Sequence, residues 1–211
     1  MNIDRHVRLE EVAGPVSRET LTKLIEFEAL FQKWAARINL AASSTLHQLW
    51  ERHVLDSAQL LKIKPAALRW LDLGSGGGFP GAVVAILLGG KPGAMVHLIE
   101  SNKKKAAFLN AAMTTLQAPA QVHAIRIEDA YATMERPEIV TARALASLPV
   151  LLDLAGPWLS RGSTGLFHKG RDYLAEVAKS ADGRRFRLVE HRSFTDPSSM
   201  ILEISDLARV S

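Results

Sequence analysis

Five glycines crowd into residues 74–81, which read GSGGGFPG and follow the apolar stretch Arg69–Leu73. Because glycine has no Cβ, a ligand can lie against the backbone at Gly76 and Gly78, and Gly74 can take a tight turn. The amides at the start of a following helix would face that ligand. A strand, a glycine-rich turn and a helix start are typical of the first crossover of a nucleotide-binding sheet.

The neighbours of this loop indicate which nucleotide it binds. Residues 76–81 fit the G-x-G-x-x-G pattern of dinucleotide sites. Against that reading, Asp72 precedes the loop, and Phe79 and Pro80 stand where small residues usually lie beneath a pyrophosphate. An acid at the end of the first strand suits a cationic ligand better. In this respect the loop resembles that of class I methyltransferases, which implies S-adenosylmethionine, with its positive sulfonium, as the cofactor.

Two later segments predict contacts with an adenosine group. Glu100 ends the second predicted strand, where its carboxylate can accept hydrogen bonds from both ribose hydroxyls. After the third predicted strand, Ile127 can lie against an adenine face, and the carboxylate of Glu128 or Asp129 can meet its edge. A solvated loop explains the two acids equally well. Dinucleotide sites have an acid at the same place, so Glu100 does not distinguish S-adenosylmethionine from a dinucleotide.

Two cations end later strands of the predicted sheet. Arg143 follows the fourth strand and Lys169 the fifth, at the edge where open α/β sheets bind their ligands. The formal net charge is +4, with a basic excess over residues 161–192, which is compatible with a polyanionic partner. Further cations that could extend a phosphate-binding surface are Arg161, Arg171, Arg184, Arg185 and Arg187.

The spacing of apolar residues predicts the elements that hold these side chains. Amphipathic helices are predicted over residues 20–38 and 46–63, and strands alternate with helices thereafter, as in a doubly wound parallel sheet. The predicted strands are Arg69–Leu73, Ala94–Ile99, Gln121–Arg126, Ile139–Ala142, Gly165–His168, Leu188–Phe194 and Met200–Ile204. The predicted helices between them are Gly81–Leu88, Asn102–Leu116, Leu148–Leu159 and Tyr173–Lys179.

The predicted fold class is therefore α/β, a Rossmann-like class I methyltransferase with a mostly parallel seven-stranded sheet. Its last strand should be antiparallel because only a short link precedes it. Residues 1–65 are expected to form a helical extension packed on a cofactor-binding core, residues 66–211.

Composition excludes several classes of site and location. The chain has no cysteine, so it has no disulfide, thiolate metal ligand or cysteine nucleophile, and it suits a reducing cytoplasm. The longest apolar run, Ala82 to Leu88, is too short to span a bilayer. We expect a cytoplasmic protein without a membrane segment or a metal.

Several short motifs together resemble one family, that of the bacterial glucose-inhibited division protein B. The motifs are Asn39-Leu40, Arg52-His53 with Asp56-Ser57, Leu73-Gly74-Ser75-Gly76, Gly78-Phe79-Pro80-Gly81, Arg143-Ala144 and Lys169-Gly170. The resemblance implies methylation of N7 of a guanine in small-subunit (16S) ribosomal RNA. The sequence leaves open which guanine is modified and whether the RNA is free or within a small-subunit particle, and we expect a monomer. N7 keeps a free lone pair, so no general base is expected and catalysis reduces to holding the reactants in line.

The resemblance also implies which residues form the site. The cofactor would be bound by Gly74, Ser75, Gly76, Phe79, Glu100, Ile127, Glu128 and Arg143. Arg143 and Lys169 would position the reactants, with Lys169 acting on RNA alone. The N-terminal helices would cover the methyl-donor end, with Arg52 and Asp56 paired at i,i+4 spacing. His53 and Asp56 would hold these helices on the rim of the loop, and Asn39 would lie nearby.

Two other functions remain open from the residues alone. One is a methyltransferase of the same fold that acts on a small molecule or a protein. The other is a nicotinamide-dependent oxidoreductase that uses the overlapping glycine pattern. The second is disfavoured because neither Tyr131 nor Tyr173 has a lysine four residues later, as a hydride-relay pair requires.

Overall fold

The computed structural model describes residues 2–40 and 48–210, with the backbone alone at residues 2 and 3. These residues form a seven-stranded sheet with strand order β3-β2-β1-β4-β5-β7-β6. The strands are β1 Arg69–Leu73, β2 Met95–Ile99, β3 Ala120–His123, β4 Ile139–Arg143, β5 Thr164–Lys169, β6 Arg184–Arg192 and β7 Met200–Arg209. Strands β1 to β5 pair in parallel, and β7 is antiparallel to both β5 and β6. The predicted fold class is confirmed.

Helices cover both faces of this sheet because the central strands bury side chains on both sides. On β1, Trp70 belongs to one apolar core and Leu71 to the other. The helices are α1 Asn2–Ala13, α2 Arg18–Ala35, α3 Asp56–Ala58, α4 Leu60–Ile63, α5 Gly81–Leu87, α6 Lys103–Thr115, α7 Leu148–Leu159 and α8 Tyr173–Ser180. The core with Trp70 includes residues of α1, α2, α5 and α6, and the core with Leu71 includes residues of α7.

Local sequence signals explain where several helices begin. Ser17 accepts a hydrogen bond from the Thr20 amide and caps α2, and Asn102 accepts from the amides of Lys104 and Lys105 and caps α6. Helix α1 was not predicted, because only Leu9 and Val12 of its described side chains are buried. Two buried apolar residues are too few to show the spacing of three to four residues by which a helix is predicted from sequence.

The segment before β1 departs from the single helix predicted over residues 46–63. Residues 46 and 47 lie outside the described part of the chain, and Trp50–Leu55 forms a π-helical turn that leads into α3 and α4. A π turn bonds each residue to the fifth one along instead of the fourth. Asp56 pairs with Arg143 instead, and Arg52 is exposed. The predicted Arg52–Asp56 pair is therefore wrong.

Helix α2 packs directly beneath the glycine-rich loop. A Cβ built on Gly77 would lie 2.6 Å from the ring of Phe31, and one built on Gly78 would lie 2.9 Å from the ring of Phe27. The packing of α2 therefore leaves no room for a side chain at either glycine. Gly78 does not open the backbone to a ligand, contrary to expectation. The division of the chain at residue 65 stays a prediction, although the N-terminal helices lie against the loop.

We predict that Gly78→Ala destabilises the protein more than Gly90→Ala. Both glycines have positive φ, +94° and +78°, so each alanine costs roughly 1–2 kcal/mol in backbone conformation. A Cβ at Gly90 has no neighbour within 4 Å, whereas one at Gly78 would also lie 2.8 Å from the Cβ of Ala82. The resulting crowding adds about 1–3 kcal/mol. Equal free energies of unfolding in urea would contradict this packing explanation.

Candidate active site

A cavity of about 630 Å³, called here the large cavity, opens at the carboxyl ends of β1, β2 and β4. All eight residues predicted to bind the cofactor line it: Gly74, Ser75, Gly76, Phe79, Glu100, Ile127, Glu128 and Arg143. Residues that the sequence did not single out as ligand-binding, among them Leu40, His53, Ser101 and Leu145, complete the lining. The individual roles of the eight stay predictions.

Two glycines of the loop shape the floor of the large cavity. Gly74 and Gly76 have φ angles of +65° and +54°. A Cβ on Gly74 would lie 2.6 Å from a methyl group of Leu145, which itself lines the cavity. A Cβ on Gly76 has only the Gly74 carbonyl oxygen near it, at 3.7 Å. The space above Gly76 is therefore open to a ligand.

The carboxylate of Glu100 is buried and held by the backbone. Its Oε2 accepts a hydrogen bond from the Gly76 amide at 2.8 Å, and its Oε1 accepts one from the Asn102 amide at 2.7 Å. Each carboxylate oxygen has two lone pairs, so both can still accept from a ligand hydroxyl. The loop and the start of α6 thus fix a bidentate acceptor in the large cavity, which fits a ribose diol.

Asp72 lies behind the loop and does not line the large cavity. Its carboxylate accepts hydrogen bonds from the Thr141 hydroxyl at 2.8 Å and from the Gly81 amide at 3.3 Å. Burial raises the pKa of Asp72 to about 6, against the opposing effect of these hydrogen bonds. The sequence-based idea that this acid faces a cationic ligand is not supported; Asp72 ties β1 to β4 and to the start of α5.

Arg143 connects the end of β4 to the π-helical turn. Its Nη1 lies 3.3 Å from Oδ2 of Asp56. Its Nη2 donates to the Arg52 carbonyl oxygen at 2.8 Å and to Nδ1 of His53 at 2.9 Å. The guanidinium is largely buried, and the burial lowers the pKa of Arg143 while the neighbouring Asp56 raises it. Arg143 is thus held in place as part of the wall of the large cavity.

His53 is a neutral ring within this wall. Burial, and then the charge of Arg143, lower the pKa of His53 to about 4, although Asp56 acts in the opposite direction. Since Nδ1 accepts from Arg143, Nε2 must carry the hydrogen. The ring packs on Phe79 with centroids 5.0 Å apart. The sequence predicts only a structural role for His53, because a lone histidine on a helix more often packs than reacts. Its contact with Arg143, which fixes it in the cavity wall, leaves no signal in apolar spacing.

Lys169 is buried and already paired. Its Nζ lies 2.7 Å from the Ala146 carbonyl oxygen and 2.7 Å from Oε2 of Glu176, and the same carboxylate oxygen accepts from the Leu148 amide. Lys169 therefore ties the connection after β4 to the end of β5 and to α8. Lys169 also lines a second cavity together with Arg143 and Ala144, and its predicted action on RNA stays a prediction.

The other predicted cations lie away from the large cavity. Arg184, Arg185 and Arg187 belong to β6, which forms the edge of the sheet beyond β5 and β7. Arg184 pairs with Asp153, and Arg161 donates to the Pro157 carbonyl oxygen at 2.6 Å. Their predicted contribution to RNA binding stays a prediction.

Among the described residues, no helix has both the length and the apolar character needed to cross a membrane. Within the same part of the chain, no three His, Asp or Glu side chains come together in a way that could hold a metal ion.

Comparison with known proteins gives consistent matches. The family model "GidB: rRNA small subunit methyltransferase G" matches residues 20–200. A ribosomal RNA small subunit methyltransferase G of Chelativorans sp. (strain BNC1) is 57% identical over 210 residues, which cover 100% of both chains.

Solved structures share the fold. Cofactor-bound Rv0187 from MTB has a TM-score of 0.60 at 15% identity and covers 97% of this chain and 96% of its own. Fibrillarin of Aeropyrum pernix, with natively bound S-adenosyl-L-methionine, has a TM-score of 0.54 at 16% identity and covers 72% of this chain and 75% of its own. At such identities these two structures show the fold alone.

We predict that His53 stays neutral, with the hydrogen on Nε2, from pH 5.5 to 8, because its pKa is about 4. Long-range ¹H–¹⁵N NMR of the imidazole nitrogens reports both the charge and the tautomer. In Arg143→Ala the pKa of His53 should rise, because a nearby positive charge is lost and Asp56 is left unpaired. A wild-type His53 that titrates near its ordinary value of 6.5 would contradict the assignment.

Proposed function

Because the chain belongs to the GidB family of rRNA small subunit methyltransferase G, we propose that it methylates N7 of a guanine in 16S rRNA. It is a methyltransferase that uses S-adenosylmethionine and acts on small-subunit rRNA. The observation that carries the proposal is the large cavity, which gathers all eight predicted cofactor residues at the carboxyl edge of the sheet.

The residues of the large cavity fit S-adenosylmethionine, which supplies a methyl group on a positively charged sulfur. Glu100 would accept hydrogen bonds from the ribose hydroxyls, since its two oxygens are fixed by backbone amides and keep free lone pairs. Ile127 is buried beside the cavity and would lie against the adenine face, with Glu128 at its edge. The open backbone at Gly76 would face the amino-acid part of the cofactor.

The state of His53 supports N7 as the acceptor. Methylation of a protonated nitrogen or a hydroxyl needs a base, whereas N7 of guanine offers a free lone pair. His53 lines the large cavity with a pKa of about 4 and has its Nδ1 occupied by Arg143, so it is a poor base near neutral pH. The chain then acts by orienting the reactants and by excluding water.

Arg143 and Lys169 act as positioning residues in this proposal. Arg143 holds the π-helical turn, and with it His53, against the large cavity. Lys169 fixes the connection after β4 through the Ala146 carbonyl oxygen and Glu176. Replacing Arg143 would disturb the cofactor as well as turnover, whereas replacing Lys169 would affect the acceptor side.

The partner and the setting of the reaction follow from the same proposal. The substrate is 16S rRNA, free or in a small-subunit particle, and the protein acts on it in the cytoplasm as a monomer. Exposed cations on β6 and the neighbouring loops, including Arg185 and Arg187, would add phosphate contacts, which makes RNA binding fall with added salt.

We predict that Glu100→Gln weakens binding of S-adenosylhomocysteine at least tenfold, which is about 1.4 kcal/mol. The amide must turn its NH₂ group toward the Gly76 or the Asn102 amide, so a donor meets a donor and the loop loses its support. Calorimetry should give micromolar binding to the wild type and no measurable binding of NAD. Glu135→Gln, which removes an exposed acid outside the cavity, is the matched control and should bind normally.

Nucleoside mass spectrometry of 16S rRNA tests the reaction itself. Cells without the protein should lack one 7-methylguanosine, and the purified protein with S-adenosylmethionine should restore it on RNA or subunits from those cells. A methyl group restored on another base or on another guanine atom would contradict the N7 assignment. Binding of NAD without S-adenosylhomocysteine would contradict the cofactor.

A further inference from the structure

A second cavity, of about 220 Å³ and called here the small cavity, adjoins the large one. The two share Arg143 and Ala144, so a single residue pair separates them. The walls of the small cavity also include Arg52, Asp56, His168, Thr195 and Asp196. Its volume is below the roughly 300–1,000 Å³ of sites for drug-sized molecules, and it suits one nucleobase rather than a whole nucleotide cofactor.

His168 supplies an unused hydrogen-bond acceptor in this wall. Its Nε2 lies 3.0 Å from the Asp56 carbonyl oxygen, which can only accept, so Nε2 carries the hydrogen. Burial lowers the pKa of His168, so the ring is neutral and Nδ1 is an acceptor. Nδ1 is buried and has no partner among the described residues. Since buried polar atoms are almost always paired, this nitrogen indicates a ligand that donates.

Asp196 supplies a second, charged acceptor. Its Oδ1 accepts from the Ser198 hydroxyl at 2.7 Å and from the Ser198 amide at 2.9 Å, and its Oδ2 accepts from the Ser199 hydroxyl at 2.9 Å. These hydrogen bonds lower the pKa of Asp196, so the carboxylate stays ionised at neutral pH. The turn after β6 thus fixes the direction of a carboxylate whose Oδ1 is fully used and whose Oδ2 keeps one free lone pair.

We propose that the small cavity binds the guanine to be methylated, with Asp196 accepting a hydrogen bond from its 2-amino group and His168 accepting one from its N1–H. The proposal rests on the proposed function. Guanine carries these donors on its Watson–Crick edge, whereas adenine presents an acceptor at N1. Enzymes that modify a base commonly take it out of the stack into such a pocket and read this edge.

The small cavity lies beside the large one, which bears on where N7 of the bound guanine lies and on how the charge left by methylation is stabilised. Because the small cavity shares Arg143 and Ala144 with the large one, a guanine whose Watson–Crick edge is held by Asp196 can turn the edge that carries N7 toward the cofactor. Methylation at N7 leaves a positive charge on the purine. The ionised carboxylate of Asp196 stabilises that charge as it develops, while the charge of Asp56 is already offset by Arg143.

The test compares guanosine and inosine 5′-monophosphates, which differ only in the 2-amino group. Ligand-observed NMR with the protein saturated with S-adenosylhomocysteine gives both dissociation constants. The wild type should bind the guanosine nucleotide about tenfold or more tightly than the inosine one. Asp196→Asn should reduce this ratio to twofold or less, because one acceptor becomes a donor. Its affinity for S-adenosylhomocysteine should not change.

Asp182→Asn is the matched control. It makes the same substitution at an exposed carboxylate that lines neither cavity, so the preference for guanosine should persist. Methyl transfer to unmethylated 16S rRNA should fall at least tenfold in Asp196→Asn and stay within twofold in Asp182→Asn.

The remaining outcomes would contradict either the guanine pocket or the proposed function. Equal wild-type affinities, no guanosine nucleotide binding at millimolar concentration, or undiminished preference in Asp196→Asn would overturn the guanine pocket. If the wild type binds S-adenosylhomocysteine but transfers no methyl group to rRNA, the proposed function fails and the pocket with it. Normal wild-type methylation that Asp196→Asn leaves intact would overturn the pocket alone.

Discussion

The buried carboxylate of Asp56 joins parts of the chain that are far apart in sequence. It pairs with Arg143 at the end of β4 and accepts hydrogen bonds from Gln59 at 2.7 Å and from Thr195 at 3.1 Å. The Asp56 residue is only 7% exposed, so its charge is tolerated because it is paired. Removing one member of such a pair typically costs about 3–5 kcal/mol. The helices before β1, the sheet edge and the β6–β7 turn are thereby held together.

This constraint makes the N-terminal helices part of the active site. With Nη1 of Arg143 held by Asp56, Nη2 is directed to the π-helical turn, where it reaches His53. The same guanidinium forms the wall between the two cavities. A change in the packing of the N-terminal helices would therefore move Arg143, and with it the wall between the cofactor cavity and the acceptor cavity. Residues three apart on a helix are neighbours, so Asp56 and His53 both reach this one guanidinium.

The sequence predicts the sheet well and the polar contacts poorly. Strand β1 and helix α7 begin and end at the predicted residues, because buried parallel strands and amphipathic helices leave apolar runs and periods. The partners of Asp56 and Lys169 could not be predicted, because they depend on which strands become neighbours and on how side chains turn at the strand ends. The pairing of Lys169 with Glu176 illustrates this, because no apolar spacing indicates that α8 supplies a carboxylate to the lysine at the end of β5.

The glycine-rich loop shows why a correct motif can rest on a partly wrong explanation. The pattern predicts a cofactor loop, and Gly74 and Gly76 do line the large cavity. Gly78, however, is required by Phe27 of α2. A loop that is backed by a helix on one side and faces a ligand on the other needs small residues for two independent reasons. A glycine-rich motif therefore encodes helix packing as well as ligand binding, and only the structure separates the two.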